Sequence, residues 1–223
     1  MKNLKKDARI AGLWYLFMGI TGMLGLMYVP GQIYVTGDNS QTIQNILNQE
    51  GLFRFGILAN LNCQTSFLFL ALAFQKLFDG VSDYWSKLLK TLVTAAVPIA
   101  FFNALLLIAA LLVLKENGLE QSQKEALSNL FIQINSFGTM AVQIFWGLWL
   151  LPLGMLFIKA EFMPKLIGYF LIAGCVAYLF ESLMGVMNAP FKERVTPYLM
   201  LPLSLGEFSA IFWLLIKGVK KGY

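Results

Sequence analysis

Asn135, Thr139 and Gln143 recur at i, i+4 and i+8 inside an apolar run, so in a helix they line one face. Asn60 and Gln64 stand in the same i, i+4 relation in a second run, with Arg54 near its start. Tyr178, Glu181, Gly185 and Asn188 share a face in a third. Asn103 shares one with Ala96, Ala100 and Ala110, and Glu207 is nearly central in a last run. Amides, a guanidinium, a phenol and two carboxyls can bind a polar ligand, hold a proton, or bond one helix to another. Much other chemistry is excluded. With His 0, there is no imidazole-bound zinc, no histidine-ligated haem and no Ser-His-Asp triad. No G-x-S-x-G, G-x-x-x-x-G-K-[ST] or H-E-x-x-H motif occurs, and metal-ligating residues do not cluster. Cys63 and Cys175 each fall within an apolar run, without the close spacing of a redox pair, and read as buried free thiols. No catalytic residue, metal or cofactor is assigned.

The elements that position these groups follow from composition. Hydrophobic residues make up 58% of the 223 residues and charged residues 13%. A soluble fold of this size has no interior large enough for that much apolar surface, so lipid must solvate it. Six runs are long enough to cross a bilayer: Ile10–Val29, Leu52–Phe74, Leu89–Leu114, Leu130–Ile158, Leu166–Met187 and Tyr198–Ile216. They must be helices, because backbone groups in lipid have to bond within their own segment. The alternation of a membrane barrel is absent. The chain is therefore expected to be all-α and polytopic, one transmembrane domain over residues 1–223 with six helices.

Orientation follows from lysine and arginine. Lys2, Lys5, Lys6, Arg9, Lys76, Lys87, Lys90, Lys159, Lys165, Lys217, Lys220 and Lys221 fall on one side of the threading. Arg54, Lys115, Lys124, Lys192 and Arg194 fall on the other, with Asp38, Glu50, Glu116, Glu120, Glu125 and Glu193. Both termini are expected in the cytoplasm. The net charge of +5 is thus an orientation signal, and no nucleic-acid partner is expected. The first run is too long for a cleaved signal and reads as an uncleaved span, with Trp14 and Tyr15 at its inner interface and Tyr28 at its outer one.

Two outer loops carry helical patterns. Ser40–Glu50 places Ile43, Ile46 and Leu47 on one face, with Ser40 as N-cap, and Glu120–Asn129 reads as an extension of the fourth span; both are expected either as ordinary interfacial helices or lying over the outer mouth of the bundle. Pro98, Pro152 and Pro202 lie inside spans and free the carbonyls of Thr94, Leu148 and Tyr198. Gly19, Gly22 and Gly25 form a small face for close helix packing.

Intramembrane acids are the sharpest functional candidates, since a charge at mid-bilayer costs about 2.5–3.5 kcal/mol even on a lenient scale. Arg54 can reach down to Glu181, which predicts an ion pair. Glu207 has no basic residue at its depth. It is expected to be neutral, donating to an amide oxygen of Asn103, Gln143, Asn60 or Gln64. The Asn135–Thr139–Gln143 stripe is expected to face Asn60 and Gln64 or Glu207.

Three blocks carry a resemblance: Lys6-Asp-Ala-Arg-Ile-Ala-Gly-Leu-Trp-Tyr15 into Thr21-Gly22, Gln143-Ile-Phe-Trp-Gly-Leu-Trp-Leu-Leu-Pro-Leu-Gly154, and Leu201-Pro-Leu-Ser-Leu-Gly-Glu-Phe208 with Trp213-Leu-Leu-Ile-Lys-Gly218. The chain resembles, over nearly its whole length, a bacterial membrane family known as a domain of unknown function, number forty-three eighty-six. The resemblance implies one multi-pass domain in a bacterial cytoplasmic membrane and implies no activity.

Three functions stay open on the residues alone. The first is a carrier or sensor binding a small molecule or lipid in a polar cavity open to the outer face. Its ligand residues would be Arg54, Asn60, Gln64, Asn103, Asn135, Thr139, Gln143, Tyr178, Glu181 and Glu207. The second is a regulatory subunit whose polar groups only specify packing. The third is an intramembrane enzyme using Glu181 or Glu207 as acid or base. Membrane lipids are the expected surroundings in each case, and the sequence leaves the oligomeric state open.

Overall fold

The computed structural model describes residues 3–187, 189 and 191–220. Lys2, Lys221 and Asn188, on which expectations fell, lie outside the described residues. The described residues are mostly helical, with no strand among them. In chain order the helices are α1 (Leu4–Met23), α2 (Val29–Ile33), α3 (Asn39–Asn48), α4 (Glu50–Leu77), α5 (Asp83–Lys115), α6 (Gln121–Leu148), α7 (Leu150–Lys159), α8 (Lys165–Val186) and α9 (Lys192–Phe212). A π-helical turn, Leu24–Tyr28, joins α1 to α2, and a second, Trp213–Lys217, follows α9.

Six stretches are long and apolar enough to cross a membrane: Leu4–Ile33, Glu50–Leu77, Asp83–Lys115, Gln121–Lys159, Lys165–Val186 and Arg194–Lys217. Each contains or nearly contains an expected run and extends beyond most of them by a turn or more. The extra turns hold charged residues, which hydropathy discounts but helical hydrogen bonding does not. The fourth is the longest because its N-terminal end continues as helix from Gln121, as the Glu120–Asn129 pattern predicted. It is interrupted at Trp149, between α6 and α7. Pro152 lacks the N–H that would bond the Leu148 carbonyl, which accounts for the interruption there. Pro98 and Pro202 instead sit inside unbroken helices, together with Pro197.

The chain forms two compact units: Met1–Leu16 with Ser66–Val97 and Met140–Tyr223, and Phe17–Thr65 with Pro98–Thr139. The first is built on an aromatic column. Tyr15 and Phe67 each meet the Trp149 ring edge-on, with centroids at 5.7 and 4.8 Å. Phe74 stacks on Phe78 at 5.8 Å, and Phe78 continues to Phe157 at 5.6 Å and Phe162 at 6.0 Å. Such pairs contribute roughly 0.5–1.5 kcal/mol each beyond their buried area. Trp14 stacks on Phe69 at 4.7 Å. In the same unit Lys76 extends its ammonium to within 2.8 Å of the buried Asp7 carboxylate, joining α4 to α1.

In the second unit the loop after the first span forms α3, the helix its pattern predicted. Ile43 and Ile46 are fully buried in a core with Val29, Ile33, Phe53, Ile57, Leu111 and Leu114, while Leu47 stays exposed. Its N-cap is Asp38, whose Oδ1 accepts from the Gln41 N–H at 2.8 Å, and not Ser40. A carboxylate at that position also suits the positive end of the helix dipole better than a hydroxyl. Asn45 Nδ2 donates to the Ile33 carbonyl, and Thr42 Oγ1 accepts from the Val35 N–H, which holds the α2–α3 turn against α3. Beside that turn, burial pushes the Tyr34 phenol up to about 12. Gly25 crosses α4 so closely that a Cβ would fall 2.5 Å from the Asn60 backbone nitrogen. Gly22 faces Cys63, but Gly19 is exposed, so the small face spans two glycines.

Candidate functional site

The expected stripe divides. In the second unit, α5 supplies Asn103 and α6 supplies Asn135 and Thr139, and these three close on one another. Asn103 Nδ2 donates to the Asn135 carbonyl and to Thr139 Oγ1, both at 3.0 Å. Asn135 Nδ2 donates back to the Asn103 carbonyl at 2.8 Å, and Thr139 Oγ1 donates to the Asn135 carbonyl at 2.9 Å. Gly138 makes room for this, since a Cβ there would lie 2.0 Å from Asn103 Oδ1. Asn135 and Thr139 therefore take Asn103 as their partner, rather than Asn60, Gln64 or Glu207. The physical reason is reach. An amide bonds its neighbour's backbone when two helices touch, and Ala96, Ala100 and Ala110 on the Asn103 face are all buried, so α5 can come close. Asn103→Ala is expected to cost about 1–2 kcal/mol, near the upper range for interhelical bonds in membranes. Thermal unfolding in detergent measures it, and a melting point equal to the wild type would sink the glue role.

Asn60 and Gln64 sit on α4 in the same unit. Gln64 is 1% exposed and donates Nε2 to Asn60 Oδ1 at 3.2 Å, while its Oε1 has no partner among the described residues. Arg54 does not take up Glu181. Its Nε donates to Glu50 Oε1 at 2.7 Å, one turn back on α4, and Lys115 Nζ lies 2.7 Å from the same carboxylate. Glu50 begins the helix, so it was within i, i+4 reach throughout. A local partner needs no long side-chain excursion and wins.

The first unit holds Gln143, Tyr178, Glu181 and Glu207, all half-buried. Ser182, next to Glu181 on α8, donates to the Met140 carbonyl. Glu207 on α9 accepts a hydrogen bond at Oε1 from the Tyr15 hydroxyl, at 2.9 Å. Among the described residues no cation stands within ion-pair distance of Glu207. Its partner is thus a phenol, and not an amide of Asn103, Gln143, Asn60 or Gln64. Tyr15 is 1% exposed and packed between Phe74 and Trp149, so it is no interfacial anchor. Its position was readable in principle: Ala8, Ala11 and Tyr15 follow i, i+3, i+7 and are all buried. Trp213 Nε1, on the turn after α9, is buried without an acceptor among the described residues.

The family model described as Domain of unknown function (DUF4386) matches residues 10–218. The chain belongs to this family. No curated protein and no solved structure matches it. In DUF4386 terms the matched segment takes in all six candidate spans in whole or in large part, together with Tyr15, Glu207 and the Asn103 cluster. Among the described residues no group of three or more Cys, Asp or Glu is placed to hold a metal ion.

Proposed function

We propose that this DUF4386 protein is a carrier or sensor that binds a small molecule or lipid within the membrane, with Glu207 and Tyr15 as its polar centre. The observation that carries this is the state of Glu207. It is a half-buried carboxyl in mid-span, held by one hydrogen bond from a fully packed tyrosine and by no cation among the described residues. A carboxyl has room for several hydrogen bonds, so this one keeps capacity for a donor on a ligand or for a proton. Acids in membrane spans mark substrate or proton sites more often than packing. The protein would sit in a bacterial cytoplasmic membrane with both termini inside, as its lysines and arginines are distributed.

A second reading is favoured by a different observation. Among the described residues the Asn103–Asn135–Thr139 cluster bonds only to itself, as expected of a non-catalytic regulatory subunit whose polar groups set helix packing. Native mass spectrometry of the protein in lipid nanodiscs separates the two. On the binding reading, the wild type retains a co-purifying molecule that Glu207→Gln releases, with the melting temperature lowered only slightly. Loss of melting temperature with no bound molecule in either form is the outcome of the packing reading and rejects the first.

A further inference from the structure

Three chain segments meet at one end of the first unit, and each brings lysines. After the π-helical turn Trp213–Lys217, Gly218 takes a positive φ of 73° and turns the chain onto α1, where its Cα faces Lys5. A Cβ at Gly218 would lie 3.2 Å from Lys5 Cγ and 3.4 Å from the Lys5 carbonyl oxygen. Val219 is then buried, and Lys220 docks on the α7–α8 connection. Its backbone N–H donates to the Phe162 carbonyl at 3.0 Å, and its Nζ donates to the Glu161 carbonyl at 3.0 Å. The start of α1, the end of the sixth span and the α7–α8 connection are thereby tied into one junction. Lys5, Lys6, Lys159, Lys165 and Lys217 are exposed around it, and Lys220 is half-buried within it.

The charge there is unbalanced. The acids of these segments are Asp7, which Lys76 already neutralises, and Glu161. Six ammonium groups gather around the backbone clamp, against the single remaining carboxylate of Glu161, so the junction is strongly cationic. The junction lies where spans end, so the anions that reach it are headgroups. Lys165 begins α8, and one turn on, Tyr169 and its neighbour Leu166 are exposed, at 58% and 65%. That is the arrangement of a headgroup contact with acyl-chain contacts beneath it. We infer that this junction of Lys5, Lys6, Lys159, Lys165, Lys217 and Lys220 is a binding site for the phosphodiester headgroup of an anionic membrane lipid. A lysine near a membrane surface attracts such headgroups, and clustering several in a fixed frame makes the attraction local. The site also gives the C-terminal turn a role: Gly218 and Lys220 lock the junction, and the bound headgroup neutralises it.

The test uses the full chain in nanodiscs of equal phosphatidylglycerol and phosphatidylcholine, read by native mass spectrometry. Phosphatidylglycerol should be retained preferentially. Lys165→Gln with Lys217→Gln should weaken that retention by about five-fold for each lysine removed. Lys87→Gln with Lys90→Gln, which removes the same charge from the start of α5, should leave it unchanged. Melting temperature shows that both variants are folded, as expected for exposed lysines. Millimolar inorganic phosphate should not displace the lipid. Equal retention of the two lipids, equal loss in the two variants, or displacement by phosphate alone would each overturn the assignment.

Discussion

Gly154→Val is expected to cost about 3 kcal/mol or more, and to leave little monodisperse protein after detergent extraction. α7 and α8 are joined by five residues, Ala160 to Pro164, and cross at Gly154 and Gly168. A Cβ on Gly154 would fall 2.6 Å from the Gly168 carbonyl oxygen, and one on Gly168 would fall 2.6 Å from the Gly154 carbonyl oxygen. The atoms in the way are backbone, which cannot swing aside as a side chain can. The crossing must widen, and the packing along it opens with it. Overpacking a well-fitted core costs roughly 1–3 kcal/mol even where side chains can adjust. Helix propensity works the other way, since replacing a helical glycine by alanine gains at most about 1 kcal/mol. Gly154→Ala therefore sets the two effects against each other directly, and the crossing should win. Gly31, on α2, has nothing within 4 Å of its Cβ position, so Gly31→Ala is the control and should be neutral or slightly stabilising. A Gly154→Val protein that melts with the wild type would refute the tight crossing.

The second large effect is expected at Tyr15 and Glu207. Glu207→Leu strands the Tyr15 hydroxyl, which is buried at 1% exposure. An unsatisfied buried polar group costs about 1–3 kcal/mol. Glu207→Gln keeps an acceptor oxygen in the same place and should cost well under half as much. Tyr15→Phe removes the donor but keeps the ring against Phe74 and Trp149, so its cost should also be smaller. The double variant Tyr15→Phe with Glu207→Leu leaves nothing stranded. It should be less destabilised than the sum of the single changes, by on the order of 1 kcal/mol. Strict additivity in thermal unfolding would mean that the hydrogen bond contributes nothing, and would remove the centre of the proposed site.

Residues close in sequence were legible; those brought together by packing were not. The six spans, the helical extension into Gln121, the buried thiols and the alanine face around Asn103 all follow from hydropathy and a 3.6-residue period, which are local quantities. Lipid makes this reading strong, because it forbids any spanning backbone that is not helical. Family membership was likewise carried by contiguous blocks.

Partner choice was decided by the tertiary structure. The sequence offered Glu207 several amides at plausible depths, yet the acceptor went to Tyr15, a residue 192 positions away. The sequence offered Arg54 a distant acid, and the local Glu50 took it. Asn135 and Thr139 could have faced any of three spans, and Gly138 decided for Asn103 by letting α5 approach. A hydrogen bond is decided by tenths of an ångström, whereas periodicity places a side chain only to within a face. Which faces meet depends on where small residues let backbones approach, and the fit of a glycine into a neighbouring helix exists only once both helices are in place.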